Sequence, residues 1–175
     1  MHTLLAAVTG NYEPMGDPQE ADCVIGQSFG AGVNEPGSVN EHLARFIGKR
    51  TPEGVPLILQ SEIARAESLN RRPSMVVEGS PSTSMGGEID SWEVLLRAHA
   101  FMKENGLRRP LLVAQAYHIG RVSVQAVKQG MEPIVPAGLP RLFDPNSIQP
   151  WTRSAKLWAL REVPGMAYLR FRHKL

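Results

Sequence analysis

Cysteine is almost missing from this chain: Cys23 is the only one in 175 residues. A single thiol excludes an internal disulfide and any multi-cysteine metal site. It lies within the apolar run "ADCVIG", where a buried, inert thiol is the expectation rather than a nucleophile. Long hydrophobic runs are also lacking. No stretch approaches the roughly 20 apolar residues that a spanning helix needs. The opening "MHTLLAAVTG" has no basic n-region and no cleavage site. Neither a membrane partner nor a signal peptide is expected, and a cytoplasmic location is the default. Charge of one sign is in short supply too, with 19 Lys and Arg against 17 Asp and Glu, a net +2. The basic residues are scattered except in "YLRFRHKL", which reads as a solvated end, so no nucleic-acid partner is expected.

What is present is an ordinary globular composition, 42% hydrophobic and 21% charged, long enough for one domain over residues 1–175. No internal repeat or linker divides it. Strand-like and helix-like stretches alternate. "ADCVIG", "VPLILQ", "PSMVVEG" and "PLLVAQA" read as strands, with "EPIVPAG" a fifth candidate. "SVNEHLARFIGKR", "SEIARAESLN", "DSWEVLLRAHAFMKENG", a segment from near His118 to Gly130, and "WTRSAKLWALREV" read as helices. Asp90 with Glu93 three residues on resembles a capping box. The last helix is expected to be amphipathic, anchored in the core by Trp151 and Trp158, and ended or kinked at Pro164. Strands apolar throughout and alternating with helices predict an α/β fold of three layers, a mostly parallel sheet covered on both faces. Such sheets bind ligands at the carboxyl ends of their strands.

That places the interest in the loops. After Ala116, His118 and Arg121 stand three apart and share a helix face. A helix beginning near His118 offers free N–H groups to an anion, and Arg121 adds a planar fork for phosphate or carboxylate. His118 is a candidate donor or proton shuttle. In "GQSFGAG", Gly26, Gly30 and Gly32 suit a backbone approach to a phosphate or ribose, with Gln27 and Ser28 between them. The spacing is not the dinucleotide fingerprint. It does satisfy G-x-S-x-G around Ser28, the nucleophile-elbow pattern, with Asp90 or Asp144 and His118 as triad partners on paper. The elbow needs an immediate helix, however, and "AGVNEPGSVN" intervenes, so a hydrogen-bonding loop residue is the preferred reading. Glu62 in "QSEIARA" is a helix-dipole acid, a ligand acceptor or a base. Ser80 and Thr83, in "EGSPSTSMGGE", gain interest only from the sheet edge they follow. His42 and His99 have no ligand spacing, and no metal is expected.

With those residues in view, the chain resembles the YdcF-like family (SanA, ElyC and YdcF proteins). "ADCVIGQSFG" resembles its first strand and glycine loop, "QSEIA" its Ser-Glu step and "VVEGSPST" its Glu-x-x-Ser-x-Thr stretch. "VAQAYHIGRVSVQAVKQG" is similar to its strand, Tyr-His-x-x-Arg step and helix. The late "LREVPGMAYL" resembles the closing helix. The resemblance covers about residues 21–170 and points to the family's soluble branch. It departs where the family's glycine pair after the second strand gives way to "LILQSE", and where an Asn-containing helix start gives way to "SMGGEIDSWE". The resemblance implies a Rossmann-like domain with a pocket at the strand ends. It also implies a bacterial source and an anionic or nucleotide-like ligand, S-adenosylmethionine among the candidates. In the reading of the residues, Gly26, Gln27, Ser28, Ser80, Thr83 and Arg121 are the ligand-binding candidates and His118 and Glu62 the catalytic candidates, with the reaction left open. The alternative is a small hydrolase or transferase working on a phosphate or acyl bond through His118.

Overall fold

The computed structural model describes residues 7–79 and 90–171; Ser80 and Thr83 lie outside the described residues. Four short strands form one parallel sheet: β1 (Cys23–Gly26), β2 (Leu57–Gln60), β3 (Met75–Val77) and β4 (Pro110–Val113), in the order β3-β2-β1-β4. Ile25 of β1 stands between Ile58 of β2 and Leu112 of β4. Every residue of β1 and β4 is buried, as strands covered on both faces require. β3 is one edge, with Val76 exposed.

Among the described residues, these α-helices flank the sheet: α1 (Ser38–Arg50), α2 (Ser61–Ala64), α3 (Ser91–Glu104), α4 (Ala116–Lys128) and α5 (Ala155–Phe171). The chain moves from β1 to β3 in one direction and returns across β1 to β4. Right-handed crossovers then put α1 and α2 on one face and α3 and α4 on the other. Helix α1 indeed packs beside α2, and α3 beside α4. The result is a Rossmann-like three-layer α/β sandwich. Leu43, Ala44 and Ile47 are the buried face of α1, and Leu95, Ala98 and Met102 that of α3, at helical spacing in both.

The capping signals have mixed outcomes. Asp90 does cap α3, its carboxylate accepting from the N–H of Glu93 at 2.8 Å. Glu93 does not return the bond; its carboxylate pairs instead with Arg97 one turn on, at 2.8 Å. "EPIVPAG" makes two isolated bridges rather than a strand, Ile134 parallel to Leu111 and Val135 antiparallel to Met15. Pro133 and Pro136 flank the pair and have no N–H to extend a ladder.

Expectations about the chain's last helix are corrected on three points. Trp151 lies before it, in the turn Pro150–Thr152, so only Trp158 anchors it. Helix α5 also runs through Pro164 to Phe171, so Pro164 does not end it. The carbonyl that loses its bond there belongs to Leu160, and both residues are exposed, where solvent can satisfy it. Nor is α5 amphipathic. Trp158, Glu162 and Met166 face inward, while Leu157, Leu160, Val163 and Phe171 are exposed on other faces. Among the described residues no helix is long and apolar enough to cross a membrane.

Candidate functional site

In a sheet ordered β3-β2-β1-β4, the chain reverses direction between β1 and β4, and the loops leaving those strands splay apart. A cleft of about 260 Å³ opens there. It brings together Gln27 and Ser28 after β1, Glu62 after β2, and His118 and Arg121 on α4. Five of the eight sequence-predicted site residues therefore share one cavity.

Gly26 does not join them. It is the last residue of β1, and a Cβ there would lie 2.8 Å from Leu59 and 3.3 Å from both Ile47 and Ile63. Its missing side chain makes room for helix packing rather than for a ligand. Of the other loop glycines, Gly30 lines the cleft and Gly32 does not.

The loop after β1 is held by side chains. Gln27 is buried, donates through Nε2 to the carbonyl of Ser91, and leaves its Oε1 without a partner among the described residues. The Ser28 N–H donates to Gln60 Oε1 at 3.1 Å. Asn40, fully buried on α1, accepts from the Phe29 N–H and donates to the carbonyls of Gly30 and Pro36. This loop runs 11 residues before α1 begins, so Ser28 is not on a nucleophile elbow. Asp144 is committed elsewhere as well. It accepts from the Ser38 and Asn146 N–H groups, capping α1 from a distance. Burial opposes its ionisation, but those bonds win and hold its carboxyl below the usual range.

Helix α4 begins two residues before His118, and this overturns one expectation. Gln115 caps it, its Oε1 accepting from Tyr117 N–H at 2.7 Å. The Ala116 N–H donates to the Pro140 carbonyl, and those of His118 and Ile119 to the Gln115 carbonyl. The first four N–H groups are thus all satisfied within the protein, and none is left for an anion.

The side chains of α4 give the site its chemistry. Arg121 Nη2 lies 2.8 Å from His118 Nε2. On its other side, Arg121 Nη1 lies 3.2 Å from Glu162 Oε2 on α5, and both side chains are almost wholly buried. Burial pushes the Glu162 carboxyl up, and the charges of Arg121 and Arg161 pull it back in part. Burial also lowers the Arg121 guanidinium, while Glu162 favours its charge. His118 is held well below its ordinary value, first by burial and then by the positive charges of Arg121 and Arg161. Its ring meets Trp158 edge-on at 5.6 Å and Phe29 at 6.3 Å.

No protein-family model, curated protein or solved structure matches this chain. The cleft must speak through its own geometry.

Sequence reading missed the wall that α5 supplies. Trp158, Arg161 and Glu162 stand at i, i+3 and i+4, one face of a helix, and that spacing was the available signal. Arg161 lies over the ring of Trp151, 4.1 Å from its centroid. Several buried polar atoms around the cleft have no partner among the described residues: Gln27 Oε1, Glu62 Oε2, His118 Nδ1, Arg121 Nε and Trp158 Nε1, with Glu162 Oε1 behind them. Each such orphan costs about 1–3 kcal/mol, and folded proteins keep few. Among the described residues, no cluster of His, Cys, Asp and Glu could hold a metal ion. Cys23 is fully buried beside Asp22, and burial raises its thiol far above the usual range, as an inert role demands.

Proposed function

We propose that this protein binds an anionic or nucleotide-like small molecule in the cleft between the ends of β1 and β4. S-adenosylmethionine is the first compound to test. The observation that carries the reading is the concentration of unpartnered buried polar atoms around one cavity at the topological switch point. The ligand contacts fall to Gln27, Ser28, Glu62 and His118, with Arg121 behind the imidazole. The resemblance of "VAQAYHIGR" to the YdcF-like family supports the same place on the same fold.

The alternative, acid–base chemistry by His118 on a phosphate or acyl bond, requires a ring nitrogen free to exchange a proton at the reacting atom. Nε2 is engaged by Arg121 in the free protein, so that chemistry would fall to Nδ1.

The test is a thermal-shift screen with S-adenosylmethionine, AMP, ATP, sugar phosphates and inorganic phosphate. A ligand at about 100 times its dissociation constant adds about 2.7 kcal/mol to the folded state. A hit that Gln27→Ala or Glu62→Ala weakens supports the site. A hit indifferent to both places the ligand elsewhere, and a panel without a hit removes the reading.

A further inference from the structure

The contact between His118 and Arg121 has a chemical direction. A guanidinium has only N–H groups to offer, so the atom it meets must accept. His118 Nε2 is that atom, at 2.8 Å. Nε2 therefore carries no hydrogen, and the neutral ring keeps its proton on Nδ1. Protonating Nε2 would set two donors against each other. Arg121 is itself fixed from behind by Glu162, which has no exposed surface and does not line the cleft. The groups facing the imidazole are Arg121 from its own helix, Trp158 and Arg161 from α5, and Phe29 from the loop after β1. Among the described residues none of these is a carboxylate that could draw the proton to the other nitrogen.

We infer that Glu162 and Arg121 are positioning residues that lock His118 as its Nδ1-protonated tautomer, so that the deep end of the cleft recognises an acceptor oxygen through uncharged N–H donors. Among the described residues two such donors have no partner, His118 Nδ1 and Trp158 Nε1, on neighbouring side chains that both line the cleft. The class of ligand group that fits them is a carbonyl, carboxylate or hydroxyl oxygen. Arg121 is already paired with Glu162, and among the described residues the other cation lining the cleft is Arg161, braced on Trp151. Against it stand Glu62 and Asp90 in the same lining. One cation facing two acids suits a group of low charge and not a polyphosphate. The ligand class rests on the binding reading above; the tautomer does not.

The tautomer is read on the free protein by long-range proton–nitrogen correlation spectra of a 15N-labelled sample. The His118 signals are assigned by their loss in His118→Gln. The expected pattern is a protonated Nδ1 and a bare Nε2, unchanged between pH 8 and pH 6. A protonated Nε2, or an imidazolium at pH 6, overturns the proposal. In Arg121→Met the donor is gone, and the ring is expected to pass to the Nε2-protonated form that histidine prefers in water. In Glu162→Gln a mixture is expected. Wild-type signals in both variants also overturn it. The wild-type spectrum decides the matter even where a variant does not fold. If the tautomer is as stated and no compound in the screen binds, the binding reading alone fails. If a compound binds while Nε2 carries the proton, the positioning pair alone fails.

Discussion

A Cβ placed on Gly30 would lie 2.6 Å from Oγ1 of Thr152 and 2.8 Å from Oγ of Ser147, with the backbone at φ +74°. The loop after β1 and the turn ahead of α5 are therefore interlocked at a point where only hydrogen fits. Ser147 bonds to Ala31 from the same side, and the Ile148 N–H donates to the Ala31 carbonyl at 2.8 Å. Gly30→Ala is expected to destabilise the protein by about 2–4 kcal/mol, combining backbone strain with the clash. Gly54→Ala is the control, since Gly54 has a similar φ of +77° and nothing within 4 Å. Urea unfolding of both variants separates the two effects; equal losses would mean the interlock contributes nothing.

The pH dependence of stability follows from His118. Its folded-state pKa lies well below the ordinary 6.5, so the unfolded chain takes up a proton that the folded chain refuses. Stability from this group is complete above that ordinary value and is lost as pH falls beneath it. Glu162, with a raised pKa, acts in the opposite sense, losing stability as pH rises through and above its ordinary 4.5. The two senses oppose, so the variant is the reference: between pH 7.5 and 6 the melting temperature of the wild type is expected to fall relative to that of His118→Gln. Gln is chosen because its side-chain oxygen still accepts from Arg121. Parallel curves would show that the buried ring is not the source.

Trp158→Phe separates packing from recognition. The smaller ring leaves a void, which costs stability, but it also removes an unpartnered buried N–H worth about 1–3 kcal/mol. The two effects oppose, so the free protein's melting temperature should change little. The shift produced by any ligand found in the screen should shrink sharply. A strong loss of stability with the ligand shift intact would assign Trp158 to the core alone.

Ser28 gives a clear negative. The strand before it does not pass into a helix, and Asp144 is occupied with the start of α1. A fluorophosphonate probe is expected to leave Ser28 unlabelled, as read by mass spectrometry of the intact chain. Labelling at that residue would restore the serine-nucleophile reading.

Much of the scaffold was legible because it follows from local periodicity. Helix α1 occupies "SVNEHLARFIGKR" from end to end, and the four strands fall inside the four apolar runs. The shared cleft of Gln27, Ser28, Glu62, His118 and Arg121 followed from parallel topology alone. What escaped was set by contacts between distant segments. Glu162, 41 residues beyond Arg121, takes a charge that the sequence left open for a ligand. Gln115 caps α4 although glutamine is not a usual capping residue, and that capping moved the helix start and closed its N–H groups. Asp144 caps a helix that begins over a hundred residues earlier. No window of sequence carries such information, since each depends on where a second segment comes to rest.

Helix α5 supplies Trp158 and Arg161 to the cleft, with Glu162 behind them, yet contributes no strand to the sheet. Ligand preference and scaffold are thus written in separable parts of the polypeptide. Exchanging the outer wall can retune what the cavity accepts while the β-core below stays as it is, the arrangement that lets one architecture diversify without being rebuilt.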